Sequence, residues 1–351
     1  PKIKKKIEFL DHEIKINYSK KNLLIDGEGA ISFQQEKDKV RYKIDKDGEN
    51  LKFLSTLTIK NNPLIIDVLG YEKNKNNELK IDLDGNYTLN KKIIINSFKL
   101  TEKKNTINFN ELVISKDYKI NSIKNINLDY YDNENKKNQL NITKKNKNYF
   151  LEGPLFNSSN LLRRLNNSDG ENKKSLFAGD FGIIFQIDQI ILDKEHTVQN
   201  FKGDIIFENN EILKANLDAD FSSEKKLKFT VNTKEEGKII TLFLDKAKPA
   251  ISQYSFIKGF ENGSLDFYSI KEGNRSKSTL KIYDFKLKEV PALTKLLTLA
   301  SLQGIADILT GEGIRFDEFE MNYTNEGSLI EIEEIYAIGP AISILMNGYV
   351  E

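Results

Sequence analysis

From Leu213 to Phe221 every odd position is apolar (Leu213, Ala215, Leu217, Ala219, Phe221) and every even one is charged or an amide (Lys214, Asn216, Asp218, Asp220). Side chains two apart share one face of a strand, whereas a helix needs a spacing near 3.6, so such a run buries its apolar half only as a β-strand. The pattern recurs at Ile14/Ile16/Tyr18, Val40/Tyr42/Ile44 and Leu51/Phe53/Ser55/Leu57/Ile59. It returns at Ile81/Leu83, Ile107/Phe109, Ile126/Leu128/Tyr130, Leu227/Phe229/Val231, Leu265/Phe267 and Leu280/Ile282. Short Asn/Asp/Gly/Lys clusters separate the runs, as at Asp45–Gly48, Asp84–Asn86 and Glu208–Asn210. These residues tolerate left-handed backbone and join antiparallel neighbours. Strand and turn alternate roughly every 10–15 residues, which predicts an antiparallel meander.

Composition narrows the chemistry. With 53 Lys+Arg against 52 Asp+Glu among 351 residues, the chain lacks the basic surplus that phosphate neutralisation demands, so no nucleic-acid partner is expected. It has no Cys, which excludes disulfides and thiolate metal sites. The two histidines, His12 and His196, lie in turn-like or strand-edge contexts without partner motifs and read as solvated. Gly27 and Gly29 lack the third glycine and the helix of a dinucleotide site, and read as a bend or bulge. Paired acids such as Glu333 and Glu334 have the residue type for glycoside hydrolysis, but acids are scattered along polar strand positions throughout. No nucleophile–base constellation is present, so neither enzymatic activity nor a cofactor is expected. The Asn-x-Ser/Thr triplets at Asn141, Asn157, Asn262 and Asn322 follow from the abundance of Asn.

Proline marks the expected helices. Pro154 precedes a short helix from Asn157 to Leu165, capped by Asn or Ser. Pro249 opens another through Ile251, Tyr254 and Phe256 to Lys258. Pro291 opens the longest segment, to Thr310, and its polar face jumps in phase near Ser301–Gly304. That break predicts two short amphipathic helices, with apolar sides Leu293/Leu296/Leu297/Ala300 and Ile305/Ile308/Leu309. Lys295, Gln303 and Asp307 oppose a membrane-spanning reading, because an ion near mid-bilayer costs roughly 2.5–3.5 kcal/mol. These helices are expected to cap the sheet or lie near a membrane. The basic runs Lys2–Lys6 and Lys144–Lys147 suit solvent or anionic lipid.

A meander must cover its apolar face. A second sheet, a closed barrel, or an open trough all satisfy the pattern, and composition does not choose among them.

The residues from Val290 to Asp317 and from Gly327 to Val350 narrow the choice. Val290-Pro291-Ala292-Leu293, then Leu296 to Asp307, then Leu309 to Asp317 with Gly311, Gly313 and Phe316, resembles the AsmA-like C-terminal region of YhdP- and TamB-type envelope proteins. Gly327 to Leu329, Ala337 to Pro340 and Asn347 to Val350 resemble that family's closing strands. Leu151 to Asn157 followed by Leu161 and Leu162 is similar to its strand, glycine and short-helix insertion, and Ile187–Ile190 with Asn200–Gly203 fits the strands that follow. Asn262-Gly263 and Glu236-Gly237 depart from the family pattern.

The resemblance implies a mainly β fold, a long curved antiparallel meander forming an open, bridge-like groove with a few short amphipathic helices near the C-terminal end. It divides the chain into β-groove strands at 1–150, strands with helical insertions at 151–290, and AsmA-like helices and closing strands at 291–351. It implies a segment of a lipid-transfer protein that carries phospholipids between inner and outer membranes through the periplasm. The parent would be anchored in the inner membrane by an N-terminal helix absent here. The expected partners are phospholipid acyl chains, the two membranes and an envelope protein. The alternative is a periplasmic scaffold that assists outer-membrane proteins without carrying lipid.

The groove lining would be Ile14, Ile16, Tyr18, Leu51, Phe53, Leu57, Ile107, Phe109, Ile126 and Leu128 in the first half. In the second half it would be Leu213, Leu217, Phe221, Leu227, Phe229, Leu265, Phe267, Leu280 and Ile282. Roughly twenty strands about 4.8 Å apart would make a sheet on the order of 100 Å long. Acyl chains need only a dry apolar stripe, since burial is favourable by about 0.8 kcal/mol per CH₂.

Overall fold

The alternating segments are strands, and nearly all of them pair with their sequence neighbours. The computed structural model describes residues 7–20, 22–32, 36–89, 91–166, 179–209, 211–235, 237–251, 259–288 and 313–350. Its secondary structure is mainly β, and the chain divides into two compact units, Pro1–Ile183 and Ile184–Glu351.

In the first unit the ladder runs β1 (Glu8–Tyr18), β2 (Asn22–Ser32), β3 (Lys37–Asp47) and β4 (Asn50–Ile59). It skips to β7 (Leu79–Thr88) and continues through β8 (Lys92–Glu102) and β9 (Asn105–Ser115). β9 pairs with both the short β10 (Ile120–Ser122) and β11 (Asn125–Tyr131), after which come β12 (Lys137–Lys145) and β13 (Asn148–Asn157). The skipped segment is an insertion, residues 60–78, holding the ribbon β5 (Ile65–Ile66) and β6 (Tyr71–Glu72) around a single 3₁₀ turn, Asp67–Leu69. After β13 comes α1 (Ser159–Asn166), whose first turn is braced by Asn157 Oδ1 accepting the Ser159 N–H at 3.1 Å. Pro154 does not open this helix. It lies in β13 beside a bulge, where proline's missing N–H removes no needed ladder bond.

β14 (Phe181–Ile191) begins in the first unit and ends in the second. The second unit continues with β15 (Thr197–Glu208), β16 (Glu211–Asp220), β17 (Lys226–Lys234) and β18 (Gly237–Leu244). Then come β19 (Phe260–Glu272), β20 (Arg275–Leu287), β21 (Ile314–Glu326), β22 (Leu329–Ile338) and β23 (Ser343–Val350). A single helical turn, α2 (Lys248–Ile251), follows β18 at Pro249; the expected continuation through Tyr254 and Phe256 lies outside the described residues. The expected helices of 291–310, with Leu293, Leu296, Leu297, Ala300, Ile305, Ile308 and Leu309, also lie outside them.

Each unit is thus an open, mostly antiparallel sheet, with the start of β14 beside the start of β13, where the Gly182 N–H donates to the Lys147 carbonyl; neither ladder closes into a barrel among the described residues. Where the turns are short they leave a strand no nearer partner than its sequence neighbour, whereas β4–β7, β18–β19 and β20–β21 pair across longer connections.

Candidate functional site: one apolar face in each unit

Directly opposed residues of an antiparallel ladder point to the same face, so the register decides whether the apolar halves of successive strands agree. They do. In the first unit one row runs Val40–Leu57–Ile81–Leu100–Ile107–Leu128–Leu140, each residue opposite the next. A parallel row runs Leu83–Phe98–Phe109–Ile126–Ile142–Leu151. Ile16, Ile25, Ile44 and Phe53 line up across the first four strands, with Ile14 and Tyr18 flanking Ile16 and Leu51 flanking Phe53. All ten expected residues of this half share one face. Rings lie flat on it: Phe98 and Phe109 stack at 4.6 Å, and Phe53 covers Gly85, where a Cβ would come within 2.5 Å of the ring.

The second unit repeats the arrangement. One row runs Ala219–Leu227–Leu244–Leu265–Ile282–Phe319–Ala337–Ile344. Beside it runs Leu217–Phe229–Leu242–Phe267–Leu280–Met321–Ile335–Met346. Two expected residues fall outside the ladder: Leu213 sits at a β16 bulge, and Phe221 lies just past β16, packed at the edge of the buried cluster. The other face is mixed, with Phe243, Tyr268 and Tyr336 exposed among polar side chains. It carries Lys228 opposite Asp218, the Thr230–Thr241 hydroxyl pair at 2.6 Å, and the Lys281–Glu320 ion pair at 2.7 Å.

Burial varies from row to row on the apolar face, and Ala215, Val231, Ser269 and Ser278, on the far side of the Leu217–Leu280 row, are buried. At one set of strand ends in the second unit, Leu244, Leu265, Ile282, Ile314 and Ala337 are buried with Ala247 and Ile251 of the α2 region. Phe260, Phe285 and Phe316 stack there at 5.3 and 5.2 Å. One row away, Leu217, Phe229, Leu242, Phe267 and Leu280 are only half-buried. Among the described residues no second sheet packs over them.

The first unit seals one margin of its own apolar face with the 60–78 insertion. Tyr71 is fully buried, edge-on to Tyr130 at 6.0 Å, and donates to Glu102 Oε2 at 2.7 Å. The Glu102 carboxylate, 1% exposed, also accepts from Asn74 N–H and from the Asn77 and Asn105 amides. Burial by itself would raise its pKa, but these donors outweigh burial and hold it below the usual carboxylate range. Asp38 accepts from the backbone of Lys60, Asn61 and Asn62, and it too is held low by those bonds against the opposing effect of burial. A third buried carboxylate, Asp132, binds the Asn138 and Asn157 amides. Nothing in the sequence singles these residues out: Glu102 reads as one more charge in a Lys-rich turn, and its role depends on an insertion thirty residues earlier.

The histidines are packed rather than solvated. His12 lies between Phe9 and Tyr42, with Nε2 3.0 Å from the Ala30 carbonyl. Its ring occupies the space above Gly29, and Tyr42 occupies that above Gly27, so both glycines serve close ring approach within a straight strand. The bulge is on the partner strand, around Asp11. His196 closes a turn against Asp193 at 2.9 Å. Glu333 accepts from Thr324 at 2.9 Å and faces Lys277. Among the described residues, no cluster of His, Asp or Glu is arranged to hold a metal, and no helix is long and apolar enough to cross a membrane.

No protein-family model, curated protein or solved structure matches this chain.

Proposed function

We propose that this chain is a non-enzymatic, lipid-carrying segment of an envelope protein, with phospholipid acyl chains lying along the apolar face of each unit. The observation that carries the reading is the register. Across eight consecutive strands of the second unit, from β16 to β23, two adjacent ladder rows on one face are apolar at every position, and the second of them, the middle row of the face, is only half-buried. An ordinary core ends in burial; a row of Leu and Phe left part-open by its own sheet is a surface suited to a greasy ligand. Lipid burial there would contribute about 0.8 kcal/mol per methylene, with headgroups remaining in water. The resemblance to the AsmA-like C-terminal region supports the finer assignment: a bridge-like groove in the periplasm, a parent anchored in the inner membrane, and traffic toward the outer membrane.

The test is lipid extraction from the purified chain followed by mass spectrometry. Phospholipid should be present in the wild type and depleted in Phe267→Glu, while Lys228→Glu on the other face retains it. Absence of lipid from the wild type, together with no uptake of labelled phospholipid, would overturn the reading.

A specific observation favours the scaffold alternative: among the described residues β23 pairs on one side only, with β22, and bears Leu345 and Tyr349 exposed on the face opposite the apolar rows. An unpaired, apolar edge strand is suited to strand addition by a partner protein.

A further inference from the structure

We infer that the rim of the first unit opposite the 60–78 insertion docks onto an anionic membrane surface. Three turns project from that rim: β7–β8, β9–β10 and β12–β13. They follow one another along the sheet, and four strand spacings of about 4.8 Å place the outer two roughly 20 Å apart. They carry Lys91 and Lys92, Lys116 and Lys119, and Lys145 and Lys147, against the single acid Asp117. Glu49 of the neighbouring β3–β4 turn pairs with Lys91 at 3.5 Å. The chain as a whole has a net charge of only +1, so this is a local concentration of charge. At the opposite strand ends, acids and lysines are mixed: Glu102 with Lys103 and Lys104, Asp132 and Glu134 with Lys136.

The same rim also exposes apolar and aromatic side chains. Leu89 and Tyr118 sit at two of the same three turns and are 51% and 81% exposed. An exposed Leu and Tyr among lysines match the chemistry of a bilayer interface, where aromatic rings settle at headgroup level and ammonium groups reach the phosphates. A soluble protein surface or a nucleic acid would use the lysines but leave Leu89 unexplained. The occupant is therefore a bilayer containing anionic phospholipid.

The test is flotation of the full chain with vesicles of phosphatidylcholine, with and without phosphatidylglycerol, at low and high salt. The wild type should float only with phosphatidylglycerol present and be released by salt. The Lys91→Glu/Lys116→Glu/Lys119→Glu variant should lose binding, by roughly fivefold or more per lysine. Lys103→Glu/Lys104→Glu at the other rim should float as the wild type does. Leu89→Ser/Tyr118→Ser should weaken binding without changing its salt dependence. Far-UV circular dichroism confirms that each variant keeps its strands. Equal flotation with pure phosphatidylcholine, or equal damage from the two charge reversals, would overturn the inference. The outcome is separable from acyl-chain carriage: a chain that holds lipid but does not float sinks this inference alone, and one that floats without holding lipid sinks only the carriage reading.

Discussion

Each unit has an apolar face of its own, and the two differ in how one margin of it is closed. The second unit closes it with hydrocarbon: a stack of Phe260, Phe285 and Phe316 among Leu265, Ile282 and Ile314. The first closes it with an insertion fastened by buried carboxylates, Glu102 beneath Tyr71 and Asp38 beneath residues 60–62. The contrast matters because the fastenings fail under different conditions. Apolar packing is indifferent to pH and sensitive to lost volume, whereas a carboxylate seat is sensitive to protonation and to any donor left unpaired. The rims opposite also differ: lysine-rich in the first unit, and mixed in the second, where Glu211, Glu235 and Glu272 stand with Lys234, Lys238, Lys271 and Arg275 at the turns.

The largest effect expected from breaking this comparison is in the second unit. Phe285→Ala removes the middle ring of the stack and should cost about 3–5 kcal/mol. Amide exchange should then accelerate in β19–β21, with the first unit's 60–78 insertion unchanged. Uniform acceleration of both units would refute the local assignment. Next in size is Glu102→Ala, which strands the buried Tyr71 hydroxyl and takes the acceptor from the Asn74 N–H and the Asn77 and Asn105 amides; a loss of about 2–3 kcal/mol is expected. Limited proteolysis should show new cleavage within 60–78, and Phe285→Ala should not produce that cut.

The pH response separates the two closures without mutation. Glu102 and Asp38 both have folded pKa values below their unfolded ones. Their stabilising contribution is therefore complete above the ordinary carboxylate range, roughly pH 4.5, and is lost as pH falls through the lowered folded values. Protection of the 60–78 amides should decline on acidification before that of Ile282 and Phe285. The smallest effect belongs to the exposed pairs: Lys238→Ala, which breaks the 2.7 Å contact with Glu211, should change stability by about 1 kcal/mol or less.

Sequence and structure agree where the signal is periodic. Alternation marks Leu217, Phe229 and Phe267 as one kind of position, and the register then proves them neighbours, because short turns fix pairing and pairing fixes the face. The same alternation could have added Phe98, Ile142 and Leu242 to the expected lining. Features that depend on distant segments are illegible by the same logic. His12 needs Gly29 beneath it and Tyr42 beside it, and Glu102 needs an insertion that the alternating pattern passes over. The lysine-rich rim was half-visible as the run at Lys144–Lys147; seeing it as a surface required knowing which turns project from the same strand ends.

The central claim is that the middle row of the apolar face meets lipid. Photo-crosslinking side chains placed at Phe229 and Phe98, and for comparison at Lys228 and Lys99 on the opposite faces, test it in cells expressing the chain. Phospholipid adducts, identified by mass, are expected at the first two positions and none at the other two. Adducts at all four alike, or at none, would contradict it.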